Sequence, residues 1–295
     1  MKEIVVISGK GGTGKTSIVA AFAALAEGAV LADCDVDAAD LHLLLEPDVK
    51  RSEEFSGGKQ ASIITEKCIG CGRCEEVCNF GAAVFNGPGN GKVMSTYTID
   101  TIACEGCGVC WRLCPVGAIE FADAVNGSWF ISETRSGPMV HARLGPGEEN
   151  SGKLVSLIRK EAKRVAEESG KGLIIVDGSP GIGCPVIASI TGADLVLVVS
   201  EPTISGQHDL ERVIELASHF KIATAVCVNK YDINEKVTEE IEGAARDKGV
   251  TVAGRIAYDA AVTKAQIAGK SIVEYSGSGV RDQVVGVWQS VLAMI

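Results

Sequence analysis

Apolar residues fall in short continuous runs, separated by stretches with helical spacing. Residues 3–8 (EIVVIS) form a β-branched run that stops at Gly9, and a helical pattern follows from Lys15 to Ala26. A second run, Ala29 to Ala32, leads into an acidic loop. Strand, loop, helix and strand in that order make the building block of a parallel sheet. After a long interruption the rhythm resumes, with Ser151 as the expected N-cap of a helix to about Ser169 that places Leu154, Leu157, Ile158 and Val165 on one side. Strands are expected at 172–177, 193–200 and 222–229, with helices at 205–219 and 234–248 between and after them. A strand near 250–257 and a helix over 279–294 close the pattern. The near-continuous Val, Ile and Leu of these strands fits a sheet covered on both faces.

The interruption has its own character. Residues 51–66 are polar and contain glycine, which reads as a linker, and a cysteine-rich segment runs from about 67 to 122, bounded by the turn signal Asn126-Gly127. The expected organisation is a discontinuous α/β domain, 1–60 and 123–295, with a mostly parallel sheet and helices on both faces. A small α+β domain, 61–122, is inserted in it. The insert carries an internal repeat, two similar cysteine motifs offset from Cys68 to Cys104.

Composition narrows the classes. With 295 residues, 46% hydrophobic, the chain has material for a core and is not a disordered protein. The 35 glycines against 8 prolines, with 5% aromatics, favour tight turns and aliphatic strands over a β-sandwich. A net charge of -10 argues against a nucleic-acid-coating protein. Eight of the eleven cysteines lie between Cys68 and Cys114, and MKEIVVISGKGG runs directly into a strand and a glycine loop. That combination points to a cytoplasmic metal site rather than a secreted disulfide scaffold.

Gly9-Lys-Gly-Gly-Thr-Gly14-Lys15-Thr16 satisfies G-x-x-x-x-G-K-[ST] after a strand and at the start of a helix. Glycines let backbone N–H groups converge on phosphate oxygens, and the helix N-terminus adds a favourable dipole. Gly9, Lys10, Gly11, Gly12, Thr13, Gly14, Lys15, Thr16 and Ser17 are therefore the candidate nucleotide-binding run. Lys15 is expected at the β/γ-phosphates and the Thr16 hydroxyl on Mg²⁺. Asp33-Cys-Asp-Val-Asp-Ala-Ala-Asp40 follows the second strand, where an acidic cluster works on a nucleotide only through Mg²⁺ or a water. Asp177 ends the strand Leu173-Ile-Ile-Val, the position from which a carboxylate reaches Mg²⁺ through water, and a glycine-rich turn to Gly181 follows. Asn229-Lys230-Tyr-Asp232 ends another strand, placing Asn229 and Lys230 at the base. It also reads as N-K-x-D, the guanine signature, so ATP and GTP both stand at this point.

Lys10, early in the loop, gives K-G-G-x-G-K-T, which resembles the deviant phosphate loop of the MinD/ParA/nitrogenase-iron-protein class of ATPases. The resemblance implies that Lys10 reaches across a dimer to the partner's nucleotide, in the manner of an arginine finger. It also implies that Asp35 lies in the first switch, orienting the attacking water and serving Mg²⁺ with Asp177, and that Asp177 to Gly181 form a second switch sensing the γ-phosphate. Lys10, Lys15 and Asp35 are the expected catalytic set. Family members often carry Asn at the position of Asp40, where this chain departs. On this resemblance ATP is favoured over GTP.

Cys68-x-x-Cys71-x-x-Cys74-x-x-x-Cys78 and Cys104-x-x-Cys107-x-x-Cys110-x-x-x-Cys114-Pro115 resemble the motifs of two-cluster bacterial ferredoxins. In those proteins the fourth cysteine of each motif ligates the other cluster. The resemblance thus implies one [4Fe-4S] cluster on Cys68, Cys71, Cys74 and Cys114, and a second on Cys104, Cys107, Cys110 and Cys78. The first motif has Asn79 where proline is usual. A pair of Cys₄ zinc sites is the alternative, although zinc modules space their cysteine pairs further apart. Of the remaining cysteines, Cys227 reads as core; Cys184 sits in the second switch, where a subunit-bridging cluster would need a second cysteine that is not evident.

Taken together, the chain resembles a MinD-superfamily P-loop ATPase containing an inserted two-cluster ferredoxin. The resemblance implies ATP-driven pairing, as a homodimer or with a related ATPase, coupled to electron transfer with an unidentified redox or client protein. An Fe–S carrier of the Mrp type and a redox-sensing positioning ATPase of the MinD type are the alternatives. Those carriers use C-terminal cysteines, and none follows Cys227. The tail after Arg281 has no Lys or Arg, so a packed helix rather than a membrane anchor is expected. Neither nucleic acid nor membrane is an expected partner. Segment 132–155, with His141, reads as a strand and a helix cap.

Overall fold

A computed structural model of the chain describes residues 1–145, 152–275 and 279–295. The first third folds as β1 (Lys2–Ser8), α1 (Lys15–Leu25), β2 (Val30–Asp33), α2 (Leu41–Leu45) and β3 (Asp48–Phe55). The cysteine-rich stretch supplies β4 (Gly58–Ile63), α3 (Arg73–Glu76), β5 (Ala83–Gly87), β6 (Thr96–Ile99), α4 (Val109–Leu113) and β7 (Ile119–Ala124). There follow β8 (Gly127–Thr134), β9 (Gly137–Leu144), α5 (Gly152–Ser169), β10 (Leu173–Pro180), α6 (Cys184–Ile190), β11 (Leu195–Ser200) and α7 (Ile204–His219). The chain ends with β12 (Ala223–Asn229), α8 (Glu235–Asp247), β13 (Thr251–Ile256), α9 (Ala260–Ile267), α10 (Ile272–Tyr275) and α11 (Gly279–Leu292).

These elements form two compact units. One comprises Met1–Glu53, Trp129–Arg143 and Asn150–Ile295; the other comprises Glu54–Ser128 and Leu144–Glu149. The first is built on a nine-stranded sheet in the order β13-β12-β11-β1-β10-β2-β9-β8-β3. From β13 to β9 every neighbouring pair is parallel. Side chains alternate between faces of a strand, and here both faces are buried. Ile4 and Val6 of β1 pack into one hydrophobic cluster with Leu195, Leu197 and Val199 of β11. Val5 and Ile7, which point the other way, are equally inaccessible. That is why the strands read as unbroken apolar runs. Phe22 of α1 meets Trp288 of α11 at 4.8 Å between ring centroids, a pair worth about 1 kcal/mol beyond its buried area. Val280, Val284, Val287 and Val291 bury the same side of α11, so the tail is a packed helix.

Two stretches differ from the sequence expectation. Residues 51–66 are not a linker but hold the end of β3 and all of β4. Almost every residue of β3 is exposed, as suits the last strand of a sheet, and its Lys, Arg and Glu residues guard that edge; polarity there marks an edge rather than a loop. The segment after 126 forms two strands, β8 and β9, joined by Arg135-Ser136 and burying Trp129, Met139, Val140 and Ala142. The Ser151 cap lies outside the described residues, and α5 is described from Gly152.

The second unit repeats itself. The pair β4–β7 is antiparallel, from Gly58 opposite Ala124 to Ile63 opposite Ile119, and β5–β6 is antiparallel with Ala83 opposite Ile99. Ala61, Cys74, Ala83, Tyr97 and Ile119 form its small core. Helices α3 and α4 each start after a left-handed glycine, Gly72 (φ 79°) and Gly108 (φ 72°), at matching places in the two cysteine motifs.

Candidate functional site

In open parallel sheets ligands bind beyond the carboxyl ends of the strands. Here β1, β2, β10, β11, β12 and β13 deliver, in turn, the glycine loop, Asp35, Asp177, Glu201, Asn229 and Tyr258 to that edge. The turn from β1 to α1 needs left-handed backbone at Gly12 (φ 80°) and Gly14 (φ 88°). Gly14 is doubly constrained: a Cβ there would lie 2.4 Å from Nδ2 of Asn229, which donates to Thr13 O at 2.7 Å.

Lys15 is 5% exposed, and its ammonium meets the Asp177 carboxylate and lies 3.1 Å from Asp35. Asp33, Asp35 and Asp177 are themselves buried. Burial works against the Lys15 charge, but the surrounding Asp177, Asp35 and Asp33 outweigh it and hold the lysine above its ordinary range. Asp33 and Asp35 are both pushed up, chiefly by burial and further by neighbouring carboxylates, against the pull of Lys15. The Asp35 N–H donates to Asp33 at 3.2 Å. One oxygen of each carboxylate, with the Thr13 hydroxyl, is buried without a partner: Asp33 Oδ2, Asp35 Oδ1 and Asp177 Oδ2. Buried polar atoms are costly to leave unpaired, so the centre is charged and incompletely satisfied by its own side chains. The Thr16 hydroxyl stands 3.5 Å from Lys15 Nζ.

The rest of the expected set is arranged around this centre. Gly181 donates its N–H to Ser8 O at 2.8 Å, tying the turn after β10 to the end of β1. Ser179 donates to Cys34 O at 2.7 Å, joining the ends of β10 and β2. The Lys10 Nζ lies 2.7 Å from Glu201 and donates to Thr203 and Ser205 at 3.1 Å each. Lys230, left-handed at φ 57°, donates to Gly12 O at 3.1 Å and lies 3.3 Å from Glu201. These two ammonium groups hold the Glu201 carboxyl below its usual range, against burial. Asp40, the departure from the family pattern, precedes α2 and contributes no side-chain cap.

Beside the loop is a cavity of about 220 Å³, lined by Gly12, Gly14, Ser17, Asn229 and Lys230 on one side and by Tyr258, Asp259, Val262 and Gln266 on another. Asp232 is drawn into the structure here, accepting the Tyr258 N–H at 2.7 Å. Sequence reasoning did not pick out Asp33, Glu201 or this second wall. Asp33 was visible as part of the acidic run, whereas Glu201 and Tyr258 could be found only from their positions just past strand ends.

In the other unit, one cavity is lined by Cys68, Cys71, Cys74 and Cys114, and another by Cys78, Cys104, Cys107 and Cys110. Each group takes three cysteines from one motif and one from the other. Backbone N–H groups point at sulfur at matching places: Ala82 to Cys78 at 3.3 Å and Ala118 to Cys114 at 3.2 Å, with Gly70 to Cys68 at 3.5 Å. Burial raises the Cys78 thiol, but donors from Phe80, Ala82 and their neighbours bring it below its usual range. Gly106 is required for space, since a Cβ would fall 2.0 Å from Lys59 O. Among the described residues no group of three or more His, Cys, Asp or Glu is gathered to hold a metal ion. Cys227 is buried in β12, Cys34 is buried beside Asp33, and Cys184 is exposed at the start of α6. Among the described residues no helix is long and apolar enough to cross a membrane.

Residues 4–272 match the family described as the CobQ/CobB/MinD/ParA nucleotide-binding domain. An uncharacterized protein of Methanocaldococcus jannaschii is 37% identical over 236 residues, 79% of each chain. Among solved structures, the ATP complex of a McdA variant from Cyanothece is 14% identical over 98% of this chain and 96% of its own, with a TM-score of 0.59. The septum site-determining protein MinD of Pyrococcus horikoshii, complexed with Mg-ADP, is 16% identical over 99% and 97%, with a TM-score of 0.54. These two likenesses concern the fold. With its glycine loop, buried lysine and parallel sheet, the chain belongs to the CobQ/CobB/MinD/ParA family of P-loop nucleotide-binding domains.

Proposed function

We propose that the chain binds and hydrolyses ATP at the loop edge of its sheet, and that nucleotide state governs electron transfer through two [4Fe-4S] clusters in its cysteine-rich unit. The observation that carries the reading is Lys15, buried among three carboxylates that each keep one unpartnered oxygen. Such a centre is poorly satisfied alone and suits a polyphosphate with a divalent ion. Thr16, Asp35 and Asp177 would hold Mg²⁺, which when bound neutralises charge developing on the phosphates. Lys15 exchanges its carboxylate partners for the β/γ-phosphates, while the loop N–H groups orient them. Asp35 positions the attacking water and accepts from it. Lys10, released from Glu201, meets the γ-phosphoryl of a second copy in a dimer. Asn229 and Lys230 border the base cavity, and the engagement of Asp232 by Tyr258 favours adenine over guanine.

The cysteine cavities support the second half of the reading. Cys68, Cys71, Cys74 and Cys114 would hold one cluster, and Cys104, Cys107, Cys110 and Cys78 the other. The residues fit: the thiols line cavities instead of closing on a point, backbone donors face sulfur, and left-handed glycines clear the space. These features favour clusters over single zinc ions. Bound clusters would supply one-electron transfer. The fold likeness to MinD and McdA supports a second reading, a redox-sensing positioning ATPase. Phosphate release and iron content, measured on the parent and on Lys15→Ala and Cys68→Ser, test the proposal. Lys15→Ala should lose nucleotide and keep iron, and Cys68→Ser should keep nucleotide and lose about half of the iron. An iron-free parent prepared without oxygen would remove the electron-transfer half.

A further inference from the structure

We propose that Arg135 is a positioning residue for the nucleotide, fixing the helical wall of the base cavity and so setting affinity for the base and ribose half. This rests on the nucleotide reading of that cavity. Arg135 lies in the two-residue turn between β8 and β9. Its Nε and Nη2 donate to the Glu274 carboxylate at 2.6 and 3.1 Å, and Nη2 also reaches Leu44 O at 2.6 Å and Gly269 O at 2.9 Å. One guanidinium thus gathers the end of α2, the residues just past α9, and α10. The two-nitrogen grip on Glu274 needs the planar fork, which a lysine does not reproduce.

What it gathers is the cavity wall. Val262 and Gln266 of α9 and Ile272 of α10 line the cavity, and Gln266 donates to Ser17 of α1 at 2.8 Å. Each helix buries one residue completely enough to count as core, Ala265 in α9 and Ile272 in α10, while Ala261, Val262 and Val273 pack only partly buried against the main cluster. The Ser271 N–H and hydroxyl, at 2.8 and 2.7 Å, donate to the same Glu274 Oε2 that Nη2 meets, fixing the carboxylate from its own chain as well. Arg135 touches neither the phosphate loop nor the acidic centre. Its effect should therefore fall on the base end of the ligand and spare the phosphate end.

The test separates those ends. Arg135→Ala should raise the KM for ATP about tenfold, with kcat at saturation within about twofold, as for a wall displaced without loss of catalytic groups. Inhibition of the ATPase by inorganic tripolyphosphate, which occupies the phosphate loop alone, should be unchanged. Glu274→Gln should shift KM in the same direction by less, and it serves if Arg135→Ala fails to fold. Arg135→Lys should restore only part of the affinity. Parallel weakening of ATP and tripolyphosphate, or unchanged KM in both variants, would overturn the proposal. If the parent binds no ATP, the nucleotide reading falls and this inference with it; ATP binding by the parent, unaltered in the variants, removes the role of Arg135 alone.

Discussion

The Lys10 ammonium lies 2.7 Å from the Glu201 carboxylate, just past the end of β11. On the proposed in-trans role, Glu201 holds this lysine until a second copy presents its nucleotide. Lys10→Ala should therefore leave ATP binding within about threefold while lowering hydrolysis by 10³-fold or more, the range of a charge supplied in trans. Nucleotide titration and phosphate release check the two halves separately. Normal hydrolysis by this variant would end the in-trans role.

Lys15 stands differently, because three buried carboxylates depend on it. Lys15→Ala should abolish nucleotide binding and also destabilise the fold by about 3–5 kcal/mol, the cost of leaving buried charge without its partner. Chemical denaturation of the nucleotide-free protein reads the second effect. Lys15→Ala with undiminished stability would show that the carboxylates are already neutral.

The cysteine grouping predicts which losses go together. Cys71→Ser and Cys114→Ser should remove the same half of the iron, though the residues are distant in sequence. Cys78→Ser and Cys107→Ser should remove the other half. Iron analysis and electron paramagnetic resonance of reduced samples distinguish the halves. If Cys114→Ser behaved like Cys107→Ser, each motif would hold its own cluster.

His141 gives the pH prediction. Burial, with His42 nearby, lowers its pKa to about 4, and Ser132 Oγ lies 2.9 Å from Nε2. Its folded pKa is below that of the unfolded chain, so the unfolded state binds more protons between the two values. Its contribution is present above about pH 6.5 and is lost as pH falls toward 4, by about 3 kcal/mol at most. His141→Gln, which can keep the bond to Ser132, should flatten that part of the melting-temperature profile. An unchanged slope would assign the acid sensitivity to other groups.

Much of the architecture was legible because its signals are local. The run from Gly9 to Thr16 codes a turn whose left-handed glycines can be named from sequence, and unbroken Val and Ile runs mark strands covered twice. The cysteine spacing likewise encodes loops opening at Gly72 and Gly108. What escaped was long-range. β3 is polar because it lies at an edge, so its sequence resembles a linker. Glu201 between Lys10 and Lys230, Asp232 on Tyr258, and Arg135 on Glu274 join residues that no periodicity relates. Such pairs exist only once the strand order has brought their loops to one edge.

The claim that nucleotide state governs electron transfer is tested most directly by the reduction potential of the clusters without nucleotide, with ADP, and with a non-hydrolysable ATP analogue. A midpoint potential that moves between the nucleotide-free and analogue-bound forms, and fails to move in Lys15→Ala, is the expected result. Identical potentials in all three states, with iron and sulfide passing to an apo-ferredoxin, would contradict it.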